Sequence, residues 1–468
     1  MMQEEEMFIP PDVAWRPVGD RLVVIKIASG QHPEHTITEL NREAALIWKF
    51  FSETGLSHGR LIAKLMPHYN INRSSMASDI SAFLNKAIAK GLLQKTTKKK
   101  SFRDGRLASQ DFPVWTEYFS YCFKNLIPYS ATLELNTTCN QRCLHCYNNG
   151  HGEAGLSAKL VYSALDQLSD LGTIILLLSG GEPLMRKDFF KLAAYARQRH
   201  FALRIFTNAT LIDEESAKKI SQLYPMTVET SLYGISSRVH ERITQRKGSF
   251  MRTIKAIRFL KKYQVPVFVK VVLMRENAVE IKRLEDFVVN ILGVGFRGVS
   301  PIITPKTSGN FLPMKHVVSR NMLKEYLNSL RYTASGLKAK PMVDKSSNKA
   351  INKGRLCGSG RTTIYINAKG RLSPCLEAET TSWNIKKDRI RDFWQNSSEL
   401  AALRSLSPEA LVQCKACPDK EFCIFSCIAL SKKIYGDYAV PIKKYCEFTK
   451  VYRASSVASR VDQKRQFI

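Results

Sequence analysis

Between residues 130 and 301 the chain alternates short apolar runs with longer stretches of helical periodicity. Six runs have the composition of β-strands: Ala131–Leu135, Thr173–Leu178, Ala202–Phe206, Thr227–Leu232, Val265–Leu273 and Phe296–Pro301. Helical stretches separate them, around residues 157–170, 187–199, 213–222, 250–263 and 278–290. This alternation predicts parallel strands, and six units predict an α/β domain built as a partial (β/α)6, TIM-like barrel. In such a barrel the chemistry lies at the carboxyl ends of the strands.

Three cysteines follow the first predicted strand, at the edge where chemistry is expected. Cys139, Cys143 and Cys146 begin four residues after Leu135. A [4Fe–4S] cluster is held by thiolates, and only three of them would leave one iron open to a small molecule. Two alternatives stay open: a closed zinc site with His145 as the fourth ligand, and three unrelated structural cysteines.

The second predicted strand ends in a pair of glycines. The stretch Gly180–Pro183 reads GGEP and comes one strand–helix unit after the cysteines, on the same predicted rim. Because glycine lets the backbone approach a ligand closely, this position favours a binding loop beside the cysteines.

The C-x3-C-x2-C spacing, the following Tyr147 and the GGEP stretch, on six strand–helix units, resemble the radical S-adenosylmethionine (SAM) enzymes. The resemblance implies that Cys139, Cys143 and Cys146 hold a [4Fe–4S] cluster, that its open iron chelates SAM, and that a 5′-deoxyadenosyl radical abstracts hydrogen from substrate. It also implies a set of SAM contacts: Tyr147, Gly180, Gly181, Glu182, Pro183, Thr207, Asn208, Ser231 and Arg242. Tyr233 stands where the family's S-L-D-G turn has an acid, which puts the role of that acid in doubt.

A second cysteine series lies in residues 353–450. Its members are Cys357, Cys375, Cys414, Cys417, Cys423, Cys427 and Cys446. A C-x2-C pair alone fits a zinc ribbon as well as an iron–sulfur site, whereas the complete series is similar to the SPASM domain, which binds auxiliary [4Fe–4S] clusters. Together with the first cluster, three [4Fe–4S] clusters are expected.

The SPASM resemblance also implies how the seven cysteines are shared. One cluster would be ligated by Cys414, Cys417, Cys423 and Cys446, and a second by Cys357, Cys375 and Cys427. The fourth position of the second cluster is left to water, a non-cysteine ligand, a substrate group or Cys122. We expect Cys122 to be a buried, idle thiol instead.

Residues 8–94 predict a separate winged-helix-like α+β domain, with three short strands followed by three helices. The pattern from Thr38 to Trp48 resembles PqqD, the peptide chaperone of pyrroloquinoline-quinone biosynthesis, which implies capture of a leader peptide as an added strand on a sheet edge. The same shape also fits nucleic-acid binding. Only two lysines lie on the third predicted helix, Ser74–Leu93, so nucleic acid is the less favoured partner.

The chain's composition is that of a soluble protein with a strongly basic balance. It has 468 residues, 44% hydrophobic residues and a formal net charge of +30, which suits an acidic partner. The acidic start has no apolar stretch behind it and no apolar run is long enough to cross a bilayer, so we expect a cytoplasmic protein without a membrane partner. The predicted divisions are 8–94, a basic linker 95–128, a barrel 129–310, a bridging region 311–352, a SPASM domain 353–450 and a basic tail 451–468.

Together these resemblances imply a maturase of a ribosomally made precursor peptide whose leader is acidic. The expected product is a thioether or carbon–carbon cross-link formed with loss of two hydrogens, and the expected electron donor is a flavodoxin or ferredoxin. Radical SAM modification of another protein or of RNA is the first alternative. A non-catalytic, metal-stapled nucleic-acid-binding protein is the second.

Overall fold

The computed structural model describes residues 5–464 except for two long gaps, 96–111 and 330–356, and short gaps at 20, 31–34, 54, 70, 149, 153–154, 381, 407–410, 420–422 and 424–426. Much of the predicted linker and much of the predicted bridging region therefore lie outside the described residues.

The N-terminal residues form a small antiparallel sheet and three helices, as predicted. The strands are β1 (Met7–Phe8), β2 (Val13–Val18), β3 (Arg21–Lys26), β4 (Thr36–Leu40) and β5 (Gln94–Lys95). The helices are α1 (Arg42–Glu53), α2 (His58–Leu65) and α3 (Arg73–Ala89), with a 3-10 turn at Met66–His68. β2, β3 and β4 pair in that order, and β1 pairs with β5. The side chain of Asn41 accepts a hydrogen bond from the Ala44 N–H (3.0 Å), which caps the start of α1.

The three-stranded sheet is buried on both faces. One face packs Leu22 and Val24 against Trp48 and the helices. The other face packs Ile25 against helix α4 (Phe112–Lys124) and the beginning of the barrel strands. Residues 112–124 were assigned to the linker from sequence, and they form a helix because Tyr118 and its neighbours have this apolar surface to cover.

The six predicted barrel strands form a parallel sheet, which confirms the fold class. They are β6 (Ser130–Glu134), β7 (Ile175–Ser179), β8 (Ala202–Thr207), β9 (Thr227–Ser231), β10 (Val267–Val272) and β11 (Gly295–Ser300). The helices between them are α5 (Ala158–Asp170), α6 (Phe189–Gln198), α7 (Glu214–Ser221), α8 (Ser237–Thr244), α9 (Ser249–Lys262) and α10 (Ile281–Asp286), which continues as a π-helix over Phe287–Leu292. The sequence did not predict α8.

The C-terminal residues extend the barrel sheet. The remaining elements are α11 (Arg320–Ser329), β12 (Thr363–Ile366), β13 (Leu372–Ser373), α12 (Ile390–Asn396), α13 (Ser398–Ser405), α14 (Val412–Lys415), α15 (Ile428–Tyr435) and α16 (Lys443–Lys464). β12 lies parallel to β6 and β13 antiparallel to β12, so the sheet has eight strands. Ile364, Phe393 and Phe448 join the core of the barrel.

Helix α16 continues into the predicted basic tail because Val451 and Tyr452 are buried. No helix in the described part of the chain is both long enough and apolar enough to cross a membrane.

A buried ion pair network joins three neighbouring barrel strands. The carboxylate of Glu229 on β9 is 1% exposed and contacts Arg204 on β8 and Lys270 on β10. The Arg204 Nε donates to Glu229 Oε1 at 2.8 Å. Burial raises the pKa of Glu229, but the charges of Arg204 and Lys270 outweigh burial and lower the pKa below its usual value.

Replacing Glu229 with glutamine should destabilise the protein in a pH-dependent way. We expect a loss of about 2–3 kcal/mol at neutral pH, slightly less than for a fully buried pair, because Arg204 and Lys270 keep some contact with water. A carboxyl group with a lowered pKa stabilises the fold above its unfolded pKa, and this stabilisation disappears as the pH falls through the folded pKa. The difference between wild type and variant, measured by urea unfolding, should therefore shrink as the pH falls below about 4.5. A difference that stays constant with pH would contradict the ionised network.

Candidate active site

The loops that follow β6 and β7 meet at the carboxyl rim of the sheet. The Gly181 N–H donates to the Asn136 carbonyl (2.8 Å), and the Glu182 N–H donates to the Thr138 carbonyl (2.7 Å). A Cβ atom on Gly180 would lie 2.6 Å from the Asn136 carbonyl oxygen, and Gly180 has a φ of +150°. The glycine pair therefore lets the GGEP loop lie directly against the loop that carries the three cysteines.

Glu182 is a fully buried carboxylate that ties three segments together. It accepts hydrogen bonds from the Thr207 hydroxyl (2.7 Å), the Asn208 N–H (2.7 Å) and the Leu184 N–H (3.1 Å). Burial raises the pKa of Glu182 to about 7, against the effect of these three donors. Its carboxylate is thus committed to the protein itself, and the buried Pro183 beside it begins a 3-10 turn, Pro183–Met185.

Asn208 connects the end of β8 to the first cysteine. Its amide nitrogen donates to Asn140 Oδ1 (2.7 Å) and lies 3.9 Å from the Cys139 sulfur. Its amide oxygen accepts from the Thr210 hydroxyl (2.7 Å). The polar residues Thr207 and Asn208 therefore sit beside the cysteine loop, where the sequence placed them.

The three cysteines of this loop are partly buried and electrostatically coupled. Burial raises the pKa of all three thiols, and the pKa of Cys143 is raised further by Cys146 and Cys139. The Cys146 N–H donates to the Cys143 carbonyl (3.0 Å), which closes a tight turn. Burial in this loop favours the uncharged thiols, whereas a bound metal would favour the thiolates.

Tyr147 links the cysteine loop to the C-terminal region. Its hydroxyl donates to Glu134 on β6 (2.7 Å), and Tyr365 on β12 hydrogen-bonds to the same carboxylate. The Tyr147 carbonyl accepts from the Thr307 N–H (2.9 Å). Burial raises the pKa of Glu134, whereas the two tyrosines lower it. Sequence reasoning missed Glu134 and Tyr365, although an acid inside an apolar strand was an available signal.

Tyr233 occupies the position of the family's acid and contacts His145. Its hydroxyl lies 3.1 Å from His145 Nε2 and also hydrogen-bonds to Ser231 at the end of β9. Arg242, in contrast, lies on the exposed side of α8. The shared contact of Ser231 and Arg242 with a SAM carboxylate stays a prediction.

Several buried polar atoms around these loops have no hydrogen-bond partner. They are Asn136 Oδ1, Gln141 Nε2, His145 Nδ1 and Thr230 Oγ1. Because buried polar groups in proteins are normally satisfied, this set fits a polar group bound between the loops. Among the described residues, no three His, Cys, Asp or Glu side chains are grouped as ligands of a single metal ion.

The seven C-terminal thiols fall into two electrostatic groups. The pKa of Cys446 is raised by burial and by Cys423, Cys414 and Cys417, whereas that of Cys427 is raised by burial and by Cys375 and Cys357. The two groups correspond to the sets that the SPASM resemblance implies, and the ligation of a cluster by each set stays a prediction.

Cys122 belongs to neither group. It is fully buried on α4 beside Tyr118, and burial raises its pKa to about 12.

Comparison with known families assigns three parts of the chain. Residues 133–288 match the radical SAM superfamily, residues 357–418 match the iron–sulfur cluster-binding SPASM domain, and residues 31–93 match coenzyme PQQ synthesis protein D. The chain contains a radical SAM domain, a PqqD domain and a SPASM domain.

Curated relatives of this chain carry names from different pathways. The AdoMet-dependent heme synthase of Methanosarcina barkeri is 27% identical over 336 residues, which cover 67% of this chain and 94% of that protein. The mycofactocin maturase MftC of Mycobacterium tuberculosis is 25% identical over 315 residues, which cover 64% of this chain and 78% of that protein.

A solved structure shares the fold over most of the chain. Streptococcus suis SuiB bound to precursor peptide SuiA aligns with a TM-score of 0.56 and 16% identity, over 90% of this chain and 96% of SuiB.

Proposed function

We propose that this radical SAM enzyme modifies a ribosomally made precursor peptide, forming a thioether or carbon–carbon cross-link. The proposal rests on the presence of a PqqD domain, a radical SAM domain and a SPASM domain in one chain. The cysteines of this chain also fall into electrostatic groups of three, four and three thiols. A similar combination of fold and partner occurs in SuiB, which has been solved with its precursor peptide.

The residues at the rim have separate tasks in this proposal. Cys139, Cys143 and Cys146 hold the first [4Fe–4S] cluster and leave one iron for SAM. When bound, cluster and SAM supply a 5′-deoxyadenosyl radical that abstracts hydrogen from a substrate carbon. Glu182 holds Thr207 and Asn208 in position through its three hydrogen bonds.

The C-terminal thiols hold two further [4Fe–4S] clusters. Forming a new bond from a substrate radical releases one electron, which a nearby cluster can accept. The three-thiol group lies close to Glu377, whose pKa is raised by burial and lowered by Lys433. The hydrogen bonds of Tyr147 and Tyr365 to Glu134 join this region to the first cysteine loop.

Of the two edges of the N-terminal sheet, we assign the leader peptide to the edge of β4. The edge strands are β2 and β4. β2 lies against the barrel, where the Arg16 guanidinium donates to the Thr173 and Arg199 carbonyls (2.7 and 2.9 Å). β4 pairs only with β3 among the described strands. A leader would add to β4 by main-chain hydrogen bonds, and an acidic leader would suit the +30 charge of the chain.

The leader edge and the cysteines lie at opposite ends of the barrel. The N-terminal sheet packs against Ile174, Ile175, Ala202 and Met226, which begin or precede strands, whereas the cysteine loop follows the end of β6. A strand of five or six residues spans about 20 Å at roughly 3.3 Å per residue. The peptide therefore needs at least about six extended residues between the recognised leader and the modified residue.

The test uses the full chain with reconstituted clusters and a short peptide encoded beside its gene. We expect roughly twelve irons per chain, SAM cleavage with dithionite, and a peptide product lighter by two hydrogens. A peptide without its leader should not react at the same concentration. Stoichiometric zinc without SAM cleavage would contradict the proposal.

A tetrapyrrole substrate is the second candidate, favoured by the 27% identity to a heme synthase. Iron coproporphyrin III, the product named for another relative, serves as the probe. SAM cleavage that is stimulated by this porphyrin, and not by the peptide, would replace the first proposal with the second. SAM cleavage that is stimulated by RNA alone would replace the first proposal with an RNA substrate.

A further inference from the structure

The loop after β8, the end of α8, the loop to α9 and the start of α9 border the first cysteine loop. The Arg142 N–H donates to the Thr244 carbonyl, and the Leu144 N–H donates to the Ile243 carbonyl, both at 3.0 Å. The end of α8 is therefore bonded to the backbone between Cys139 and Cys146.

The loop after β8 completes this surface. The Asn140 amide donates to the Thr210 hydroxyl (2.9 Å), and the Thr253 hydroxyl of α9 donates to the Asn208 carbonyl (3.1 Å). The segments 208–212 and 243–253 thus border the same cysteines.

The charge of this surface is one-sided. Residues 237–262 contain nine lysines and arginines and one acid, Glu241. That acid is only partly exposed and accepts a hydrogen bond from the Phe250 N–H (3.4 Å). The side chains of Arg142, Arg246, Lys247 and Arg252 are exposed. Asp213, Glu214 and Glu215 follow the loop after β8, and Glu214 pairs with Lys262 at the far end of α9. The four exposed cations next to the cysteines face solvent.

Two large apolar side chains are exposed on the segments that carry these cations or border the same cysteines. Met251 is 51% exposed and Leu211 is 41% exposed. The Arg252 guanidinium folds back onto the Lys247 and Gly248 carbonyls (3.1 and 3.3 Å), which holds the basic loop beside Met251. A small apolar centre with a charged rim is the composition of a transient protein interface.

We propose that this surface, formed by Arg142, Leu211, Arg246, Lys247, Met251 and Arg252, is the docking site for an acidic one-electron carrier protein. The inference rests on the proposed function, because the first cluster must gain one electron for each SAM cleaved. The docked carrier loses that electron and the cluster gains it. Complementary charge steers an acidic carrier to the face of the barrel nearest the cysteines.

The test compares two charge-reversed pairs in the full chain with reconstituted clusters. R246E/K247E alters the proposed surface, and R246A/K247A removes its charge without adding a new one. K386E/K387E is the matched control, because both lysines are exposed in the loop between the edge strand β13 and α12, outside the segments that border the first cysteine loop. Binding of oxidised flavodoxin, an acidic carrier, is measured by calorimetry at low and high salt.

We expect R246E/K247E to weaken flavodoxin binding at low salt by about tenfold or more, R246A/K247A to weaken it less, and K386E/K387E to leave it unchanged. Flavodoxin-driven SAM cleavage should fall in parallel, while dithionite-driven cleavage, which needs no docking, should stay at the wild-type rate. Unchanged binding in R246E/K247E, or equal weakening in the control pair, would overturn the docking site. The docking site would also be overturned if the wild type bound RNA but not flavodoxin and R246E/K247E lost the binding of RNA.

The two proposals fail in different ways. A missing peptide product or missing dithionite-driven cleavage counts against the maturase. The binding data alone decide the docking site, and they need no turnover.

Discussion

Replacing Cys143 with alanine should abolish SAM cleavage and remove about four of roughly twelve irons per chain. Cys143 is the middle of the three coupled thiols, and only two would remain to hold the first cluster. The seven C-terminal thiols keep their own groups, so the iron of the auxiliary clusters should persist. Iron and sulfide analysis, together with electron paramagnetic resonance of the reduced protein with and without SAM, measures this result.

Cys122→Ala is the matched control for this variant. Cys122 is fully buried beside Tyr118 and lies in neither C-terminal thiol group. We expect full iron content, normal SAM cleavage and a loss of stability of about 1 kcal/mol from the small change in packing. Full iron content in Cys143→Ala, or iron loss in Cys122→Ala, would contradict the assignment of the first cluster.

The barrel could be predicted from sequence because its strands are continuous apolar runs between amphipathic helices. Strand β6 begins at Ser130 and ends at Glu134, one residue earlier at each end than the predicted run. Parallel strands covered by helices on the outside bury such runs, so composition and length identify them. Helix α8 was missed because few of its residues are apolar. It forms where His240, Ile243 and Thr244 become buried and its last carbonyls bond to the cysteine loop.

The contacts between distant segments could not be predicted. Glu134 and Tyr365 are separated by more than two hundred residues, and no local pattern pairs them. The resemblance to known families implies a SAM contact through the backbone of Glu182, but it does not give the partners of the Glu182 carboxylate, which binds Thr207 and the neighbouring backbone. Side-chain partners of this kind depend on how loops meet after folding, which sequence periodicity does not contain.

The grouping of the seven C-terminal thiols came from resemblance and not from spacing. Cys423 and Cys427 are four residues apart, but they couple to different partners. Spacing alone would have favoured placing them together. The family pattern predicts a grouping of these thiols that the distances along the chain do not contain.

Replacing Gly181 with alanine should disrupt the meeting of the two rim loops. The new Cβ atom would lie 2.4 Å from both the Thr137 and the Thr138 carbonyl oxygens, which are backbone atoms that cannot rotate away. Relief of this clash requires the GGEP loop to move, which would break the hydrogen bonds of Gly181 and Glu182 to the cysteine loop. We expect a loss of at least about 2–3 kcal/mol in the free energy of unfolding and no measurable binding of SAM.

Gly150→Ala distinguishes this specific clash from a general effect of adding a methyl group. Gly150 lies in the same cysteine loop, and a Cβ atom there would meet no other atom within 4 Å. Its unfolding free energy should stay within about 0.5 kcal/mol of wild type, and SAM binding measured by equilibrium dialysis should be retained. If Gly181→Ala binds SAM as Gly150→Ala does, the close approach of the two loops is not what shapes the site. If only Gly181→Ala loses SAM, the contact between the loops, and not the mere presence of the three cysteines, positions the ligand.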